Sequence, residues 1–304
     1  MARIKGYRLP KKRRTRLKHN GINPSRFESG QMKFYAYLIP VAAVMFLPIL
    51  YIFMNAFKPL SELNAYPPRF FVRMPTLDNF RRLFAAAGGS SVPVTRYLFN
   101  SIVATVVVVL CTLIISVAAG YVFSKKRSKY KNFLFSINTL ALMFVPVSVA
   151  IPRYLVIVAT GLYDTFWAQI IPLLAMPVGL FLIKQFIDQI PDALIEAAVI
   201  DGASDFQVLW HIVIPVVKPA MATVAMMAFQ SAWNSTEASA MFMEAEERKN
   251  FAYYMSTLTG ATGNVISGQG IAAAAGLILF LPNLILFIIL QSRVMNTMAH
   301  SGLK

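Results

Sequence analysis

Five long stretches of this chain contain no charged side chain: residues 34–57, 97–124, 132–152, 165–183 and 250–292. A run of about 20 apolar residues crosses the hydrocarbon core as a helix. Inside a bilayer every backbone polar group must be satisfied internally, which leaves helices or closed barrels. The composition agrees. The chain is 57% hydrophobic and 14% charged, with mean hydropathy +0.58, whereas a soluble domain carries roughly 25% charged residues. The fold class is therefore an all-α integral membrane protein, and a large soluble core of buried helices is excluded.

Six spans fit the pattern: about 34–56, 97–123, 133–157, 165–187, 217–243 and 271–292. Pro146 and Pro152 are expected to kink the third, which membrane helices tolerate when neighbours re-satisfy the backbone. The first apolar run is too long for a signal-peptide core and no small-x-small site follows it, so it reads as a retained span. The chain then divides into a basic N-terminal tail (1–33), a first transmembrane helix with an outer loop (34–96), a core (97–292) and a C-terminal tail (293–304).

The net charge of +16 is local. Between Arg3 and Lys33 the tail is dense in Lys and Arg, with Glu28 its only acid. Beside a membrane span this pattern means cytoplasmic retention and attraction to anionic lipid rather than nucleic-acid binding. Loop 124–131, SKKRSKYK, is also basic, and six spans put it on the same side as the tail. Loop 188–216 and the C-terminal tail then come out cytoplasmic too. Against this, the outer loop 57–96 holds Lys58, Arg69, Arg73, Arg81, Arg82 and Arg96, partly offset by Glu62 and Asp78. Within it, Thr76–Phe80 looks like a helix start, with an amphipathic stretch through Phe84. Gly88–Ser91 reads as a flexible break.

Loop 188–216 is a polar, amphipathic interruption of an otherwise apolar sequence. Glu196-Ala197-Ala198, three residues, Gly202, nine residues and Ile212-Val213-Ile214-Pro215 follow the spacing EAA-x3-G-x9-I-x-L-P, with Ile214 in place of Leu. Locally the loop reads as two short helices around a bend. Pro191 suits a first helical turn, and Gly202 can take a positive φ and close that helix. Ser204 and Gln207 have capping-box spacing for a second helix. Phe206, Leu209, Trp210 and Val213 are expected to share one apolar face of it, and Pro215 to limit the run before the fifth span.

That spacing resembles the cytoplasmic loop of permease subunits in ATP-binding-cassette (ABC) importers. Further matches extend the resemblance over roughly residues 45–292. They are Pro75–Phe80, Asn100-Ser101, Ala118-Ala119-Gly120-Tyr121 (with Gly120 inserted), Gly161–Thr165, Ile190-Pro191, Ile200–Ala203, Lys218-Pro219-Ala220 and Phe229-x3-Trp233-Asn234. They are similar to the smaller permease of carbohydrate importers of the maltose-transporter type. The resemblance implies a type I importer fold in a bacterial or archaeal plasma membrane with both termini cytoplasmic. It implies a second permease, two copies of an ATPase subunit, an external solute-binding protein and a sugar substrate. Glu196, Ala197, Ala198, Asp201, Gly202, Leu209 and Pro215 would form the coupling element seated on the ATPase. The basic tail has no counterpart in the pattern.

No G-x-x-x-x-G-K-[ST] phosphate loop occurs, so ATP and Mg are expected on the partner and no cofactor in this chain. His19, His211 and His300 are scattered, and Cys111 is the single cysteine, which excludes an intrachain disulfide and leaves no metal-ligand pattern. Polar groups in a span tend to face a cavity or bundle interior. Gln230, Trp233, Asn234 and Glu237 are thus assigned either to the substrate pathway or to helix packing. Two other functions stay open at this point: an ion-gradient-driven secondary transporter and a non-transporting membrane scaffold.

Overall fold

The computed structural model describes residues 32–87, 92–262 and 266–301; the basic tail before residue 32 and the Gly88–Ser91 break lie outside them. The chain divides between Ile49 and Leu50 into two units, and everything from Leu50 onward belongs to the second. The N-terminal unit contains, in its described part, the first turns of α1 (Met32–Phe57). After it come α2 (Leu60–Leu63), α3 (Asp78–Ala87) and α4 (Val94–Lys125). Next are α5 (Lys131–Ala141), α6 (Ala150–Ala159), α7 (Ile171–Leu174), α8 (Pro177–Asp188), α9 (Asp192–Ile200) and α10 (Asp205–Val208). The chain ends in α11 (Ile214–Trp233), α12 (Glu237–Met241), α13 (Phe251–Thr262) and α14 (Ile266–Ser301). Among the described residues, four helices are long and apolar enough to cross a membrane, or six when each of two bent helix pairs is taken as one span.

The centre of the second unit is α4, with α8 and α11 packed on it and α14 packed on α11. Ser101, Ala104, Thr105, Val108, Thr112, Ser116 and Gly120 form the buried side of α4. Small residues let membrane helices approach closely where lipid supplies no hydrophobic drive between them. Gly120, the residue that looks inserted by comparison with the family pattern, sits where α4 meets α8. A Cβ there would lie 3.1 Å from Ile183 Cγ2 and 3.4 Å from the Lys184 backbone nitrogen.

The prolines do more than kink the third span. α5 stops at Ala141, and a 3₁₀ turn at Pro146–Val149 leads into α6 at an angle of 109° to it. The residue before a proline is pushed out of the helical region, and Val145 is extended at ψ 132°. Pro152, by contrast, falls in the first turn of α6, where a missing N–H costs nothing. The fourth span is bent by 40° ahead of Pro177 for the same reason. The fifth span also differs from expectation. Pro215 does not limit the run: α10 passes through one π turn, Leu209–Val213, straight into α11, with Pro215 in its first turn. α11 itself ends at Trp233, and after a short break α12 carries the candidate span on to Met241, close to the expected 243. α14 outruns the expected 271–292 at both ends.

α13 was not anticipated, because the uncharged run 250–292 reads as one apolar block. Asn250 starts it by accepting from the Tyr253 N–H at 2.9 Å, an N-cap that satisfies an otherwise orphaned donor. The amphipathic α3 matches its expected place. Its Asn79 is buried and donates to the Ala56 and Lys58 carbonyls at 3.0 and 2.8 Å, closing the end of α1.

Two of the charges in loop 57–96 are internal. Lys58 is 3% exposed and donates to Asn55 Oδ1 and the Arg69 carbonyl. Glu62 accepts from the Arg73 and Met74 N–H groups, and the first of these bonds holds its carboxyl below the usual range. Asp164, in the Gly161–Thr165 turn, has φ +52°, a conformation for which Asp and Asn are enriched. Its carboxylate accepts from the Glu244 and Ala245 N–H groups at 3.1 Å each and pairs with Arg248 at 2.6 Å. The Ala245 N–H is the main reason its carboxyl titrates low. These ties belong to the α4 end marked by Asn100, which donates to the Glu247 and Lys249 carbonyls. The opposite end of α4, at Lys125, meets loop 188–216.

Candidate functional site

Loop 188–216 is a helix, a bend and a helix, and each part has a local cause. Pro191 stands at the N-cap of α9, one residue before its first turn. Asp192 follows, placing a carboxylate at the positive end of the helix dipole. Gly202 has φ +85°. Its N–H donates to the Val199 carbonyl at 3.0 Å and the Ala203 N–H donates to the Ala198 carbonyl at 2.9 Å. These two bonds are a Schellman closure, which requires a left-handed residue at the Gly202 position. Ser204 then caps α10 in a full capping box with Gln207.

Val208, Val213 and Val217 are fully buried and pack with Ile183, Phe186, Ile187 and Ile190. Leu209, Ile195, Ala198 and Ala203 are partly buried against the same cluster. The expected single apolar face therefore splits. Val213 and Leu209 turn inward, whereas Phe206 and Trp210 are 70% and 57% exposed and stack on each other with centroids 6.2 Å apart. Leu194, Val199 and Ile200 are exposed as well. Glu196, Ala197, Asp201 and Pro215 are exposed, and Glu196 has no side-chain hydrogen bond or ion pair among the described residues. A concavity of about 330 Å³ at the bend is lined by Asp201, Gly202, Gln207 and His211, among others. Exposed apolar patches of this kind occur where proteins meet a partner or a membrane surface.

Three lysines brace the loop. Lys125 Nζ donates to Asp192 Oδ1 and to the Ile190 carbonyl, both at 2.6 Å. Lys126 pairs with Asp205, and Lys184 pairs with Asp188 at 2.6 Å. Ser124 Oγ also donates to Asp188. The Lys125 bond holds the Asp192 carboxyl low, and the Asp205 bond holds the Lys126 ammonium high. Sequence reading took Lys125 and Lys126 only as topological markers, within loop 124–131, and passed over Lys184.

The second group of assigned residues is dispersed. Trp233 is 6% exposed, stacks on Phe229 at 5.9 Å and donates through Nε1 to the Leu279 carbonyl at 3.1 Å. Gln230 and Asn234 are exposed. Asn234 donates to the Gln230 carbonyl and accepts from Asn283 Nδ2 at 3.2 Å. Glu237 lies beyond the end of α11, on α12, and takes both its bonds from Arg153 Nη1 at 3.0 Å. Arg153 was missed. It is the one charge inside the expected third span, and an intramembrane charge is itself a signal.

With this geometry in place, comparison with known proteins is informative. Residues 111–292, more than half of the chain, match the family described as "Binding-protein-dependent transport system inner membrane component". Protein LplC of Bacillus subtilis is 30% identical over 275 residues, covering 87% of this chain and 91% of that protein. The sulfoquinovosyl glycerol transport system permease protein SmoH of Agrobacterium fabrum is 28% identical, covering 92% and 96%. A chain of a bacterial ABC transporter involved in alginate import superposes with a TM-score of 0.71 at 22% identity, over 88% of this chain and 99% of that one. The family match, the near-full-length relatives and the shared fold agree, and the chain belongs to the inner-membrane components of binding-protein-dependent ABC importers.

Proposed function

We propose that this chain is the permease subunit of an ATP-driven sugar uptake system, forms half of its translocation pathway, and engages one ATPase subunit through α9, Gly202 and α10. The observation that carries this reading is the exposed helix-bend-helix, braced on its inner side and presenting on its outer side Glu196, whose carboxylate has no partner among the described residues. The names of the SmoH and alginate relatives support a carbohydrate substrate. A second permease completes the pathway. Two ATPase copies bind and hydrolyse ATP with Mg, and an external binding protein delivers the sugar. Closure of the ATPase pair pulls the coupling helix and switches the pathway between sides, an alternating-access cycle.

Glu196→Lys is the direct test. The residue is exposed and makes no side-chain bond among the described residues, so reversal leaves the fold intact. Loss of a docking charge pair costs about 2 kcal/mol or more, equivalent to at least roughly tenfold in affinity. Recovery of the ATPase with the purified permease is expected to fall accordingly. Unchanged recovery would remove the docking role.

Orientation has its own test. Cysteine at Ser128 or Ser204, in a Cys111→Ala background, is expected to be shielded from an impermeant thiol reagent in intact cells. Tyr66→Cys, at a position 96% exposed in the outer loop, is expected to react. Labelling at Ser128 from outside reverses the topology.

A further inference from the structure

Lys125 and Lys126 are neighbours in sequence, the last residue of α4 and its C-cap, yet they reach different helices. Lys125 holds the start of α9 through Asp192 and the Ile190 carbonyl. Lys126 holds the start of α10 through Asp205. The two contacts therefore lie on either side of the Gly202 bend. The Lys125 side chain is 7% exposed while Asp192 is 77% exposed, so solvent still screens the ion pair, and the more sheltered of the two Lys125 contacts is its bond to the Ile190 carbonyl. Lys126 is partly exposed but lies 5.8 Å from the Tyr121 ring centroid on α4 itself, which orients its ammonium. Asp192 and Asp205 are each the first residue of their helix, so each acid also favours its own helix dipole. Chain continuity joins the loop to α8 on one side and to α11 through the π turn on the other. Neither connection reaches α4.

We infer that Lys125 and Lys126 are positioning residues that tie the coupling helices to α4, so that α9, α10 and α4 move as one body when the ATPase pair closes. A single contact would transmit pull but allow rotation about itself. Two contacts flanking the bend transmit both. The inference rests on the docking reading above, and extends it by assigning the route from the docking surface to the second span.

The experiment uses the full complex purified from membranes, with spin labels at Ile115→Cys on α4 and Phe206→Cys on α10 in a Cys111→Ala background. Both positions are exposed in the isolated chain, and because Phe206 lies on the proposed docking surface the labelled parent is used only where it retains the ATPase as the unlabelled complex does. The label distance is measured without nucleotide and with ATP plus vanadate. In the parent the main distance peak is expected to stay in place. In Lys126→Gln, chosen because its partly exposed side chain makes misfolding less of a hazard, the peak is expected to shift or split when ATP and vanadate are added. Lys126→Asp combined with Asp205→Lys restores the pair with reversed sign and is expected to return the parent behaviour, which a general structural defect would not. A peak that behaves alike in the parent and Lys126→Gln overturns the tie and leaves ATPase docking standing. So does a parent peak that moves with nucleotide, or a reversed pair that fails to rescue. Absence of the ATPase from the parent complex overturns the docking reading, and the tie with it.

Discussion

Gly202→Pro is expected to abolish uptake while the protein still accumulates in the membrane. Proline holds φ near −65°, and the position is at +85°. The substitution also deletes the N–H that donates to the Val199 carbonyl. A residue forced out of its permitted region costs on the order of 1–3 kcal/mol, and the lost hydrogen bond about 1 kcal/mol more. A Cβ on Gly202 would meet nothing within 4 Å, so no clash with the core is added. The damage is therefore to the angle between α9 and α10, not to the core beneath them. Gly202→Ala separates the two causes. It keeps the N–H and adds no clash, so only the left-handed penalty of about 1–2 kcal/mol remains, and partial uptake is expected. The measurement is uptake per permease in the membrane for the three proteins. Wild-type uptake by Gly202→Pro would mean that the bend does not matter to transport.

Gly120→Leu is expected to act at the other level, on accumulation of the protein itself. The glycine faces Ile183, Ile187 and the backbone of Lys184. The added Cβ alone would already be at 3.1 Å, and one of its neighbours is main chain that cannot rotate away. Overpacking a tight interface costs typically about 1–3 kcal/mol. Here it also parts α4 from α8 next to Lys125, whose bonds to Ile190 and Asp192 depend on that approach. Yield and the midpoint of thermal unfolding in detergent are both expected to fall, with Gly120→Ala intermediate. Normal yield and midpoint for Gly120→Leu would show that α4 and α8 can separate without cost.

Much of this was readable locally. The apolar runs mark the spans, because a bilayer demands a length and a polarity from any segment that crosses it. The Gly202 turn and the Ser204–Gln207 box were readable for a similar reason. A left-handed φ, a cap and a helix start are each satisfied within about six residues. Even α13 carried a local sign in Asn250, overlooked inside an uncharged run. Pro146 was read correctly as an interruption: α5 has ended and Val145 is extended ahead of it. Pro152 and Pro215 were not, since Pro152 falls in the first turn of α6 and Pro215 lies in a run that continues unbroken from α10 through the π turn into α11.

The sequence by itself determined where this chain can enter a membrane, where it must turn, and which loop presents a free surface, because these depend on covalent geometry and short-range bonding. Only the tertiary structure decided what the individual side chains do. Lys125 meets Asp192 across 67 positions and Lys126 meets Asp205 across 79. Arg153 meets Glu237 across 84, and Trp233 reaches Leu279 across 46. A lysine near a span end looks the same in sequence whether it faces lipid, water or an aspartate. Its partner is settled by how closely α4 and α8 pack, and that closeness is settled by small residues far apart along the chain.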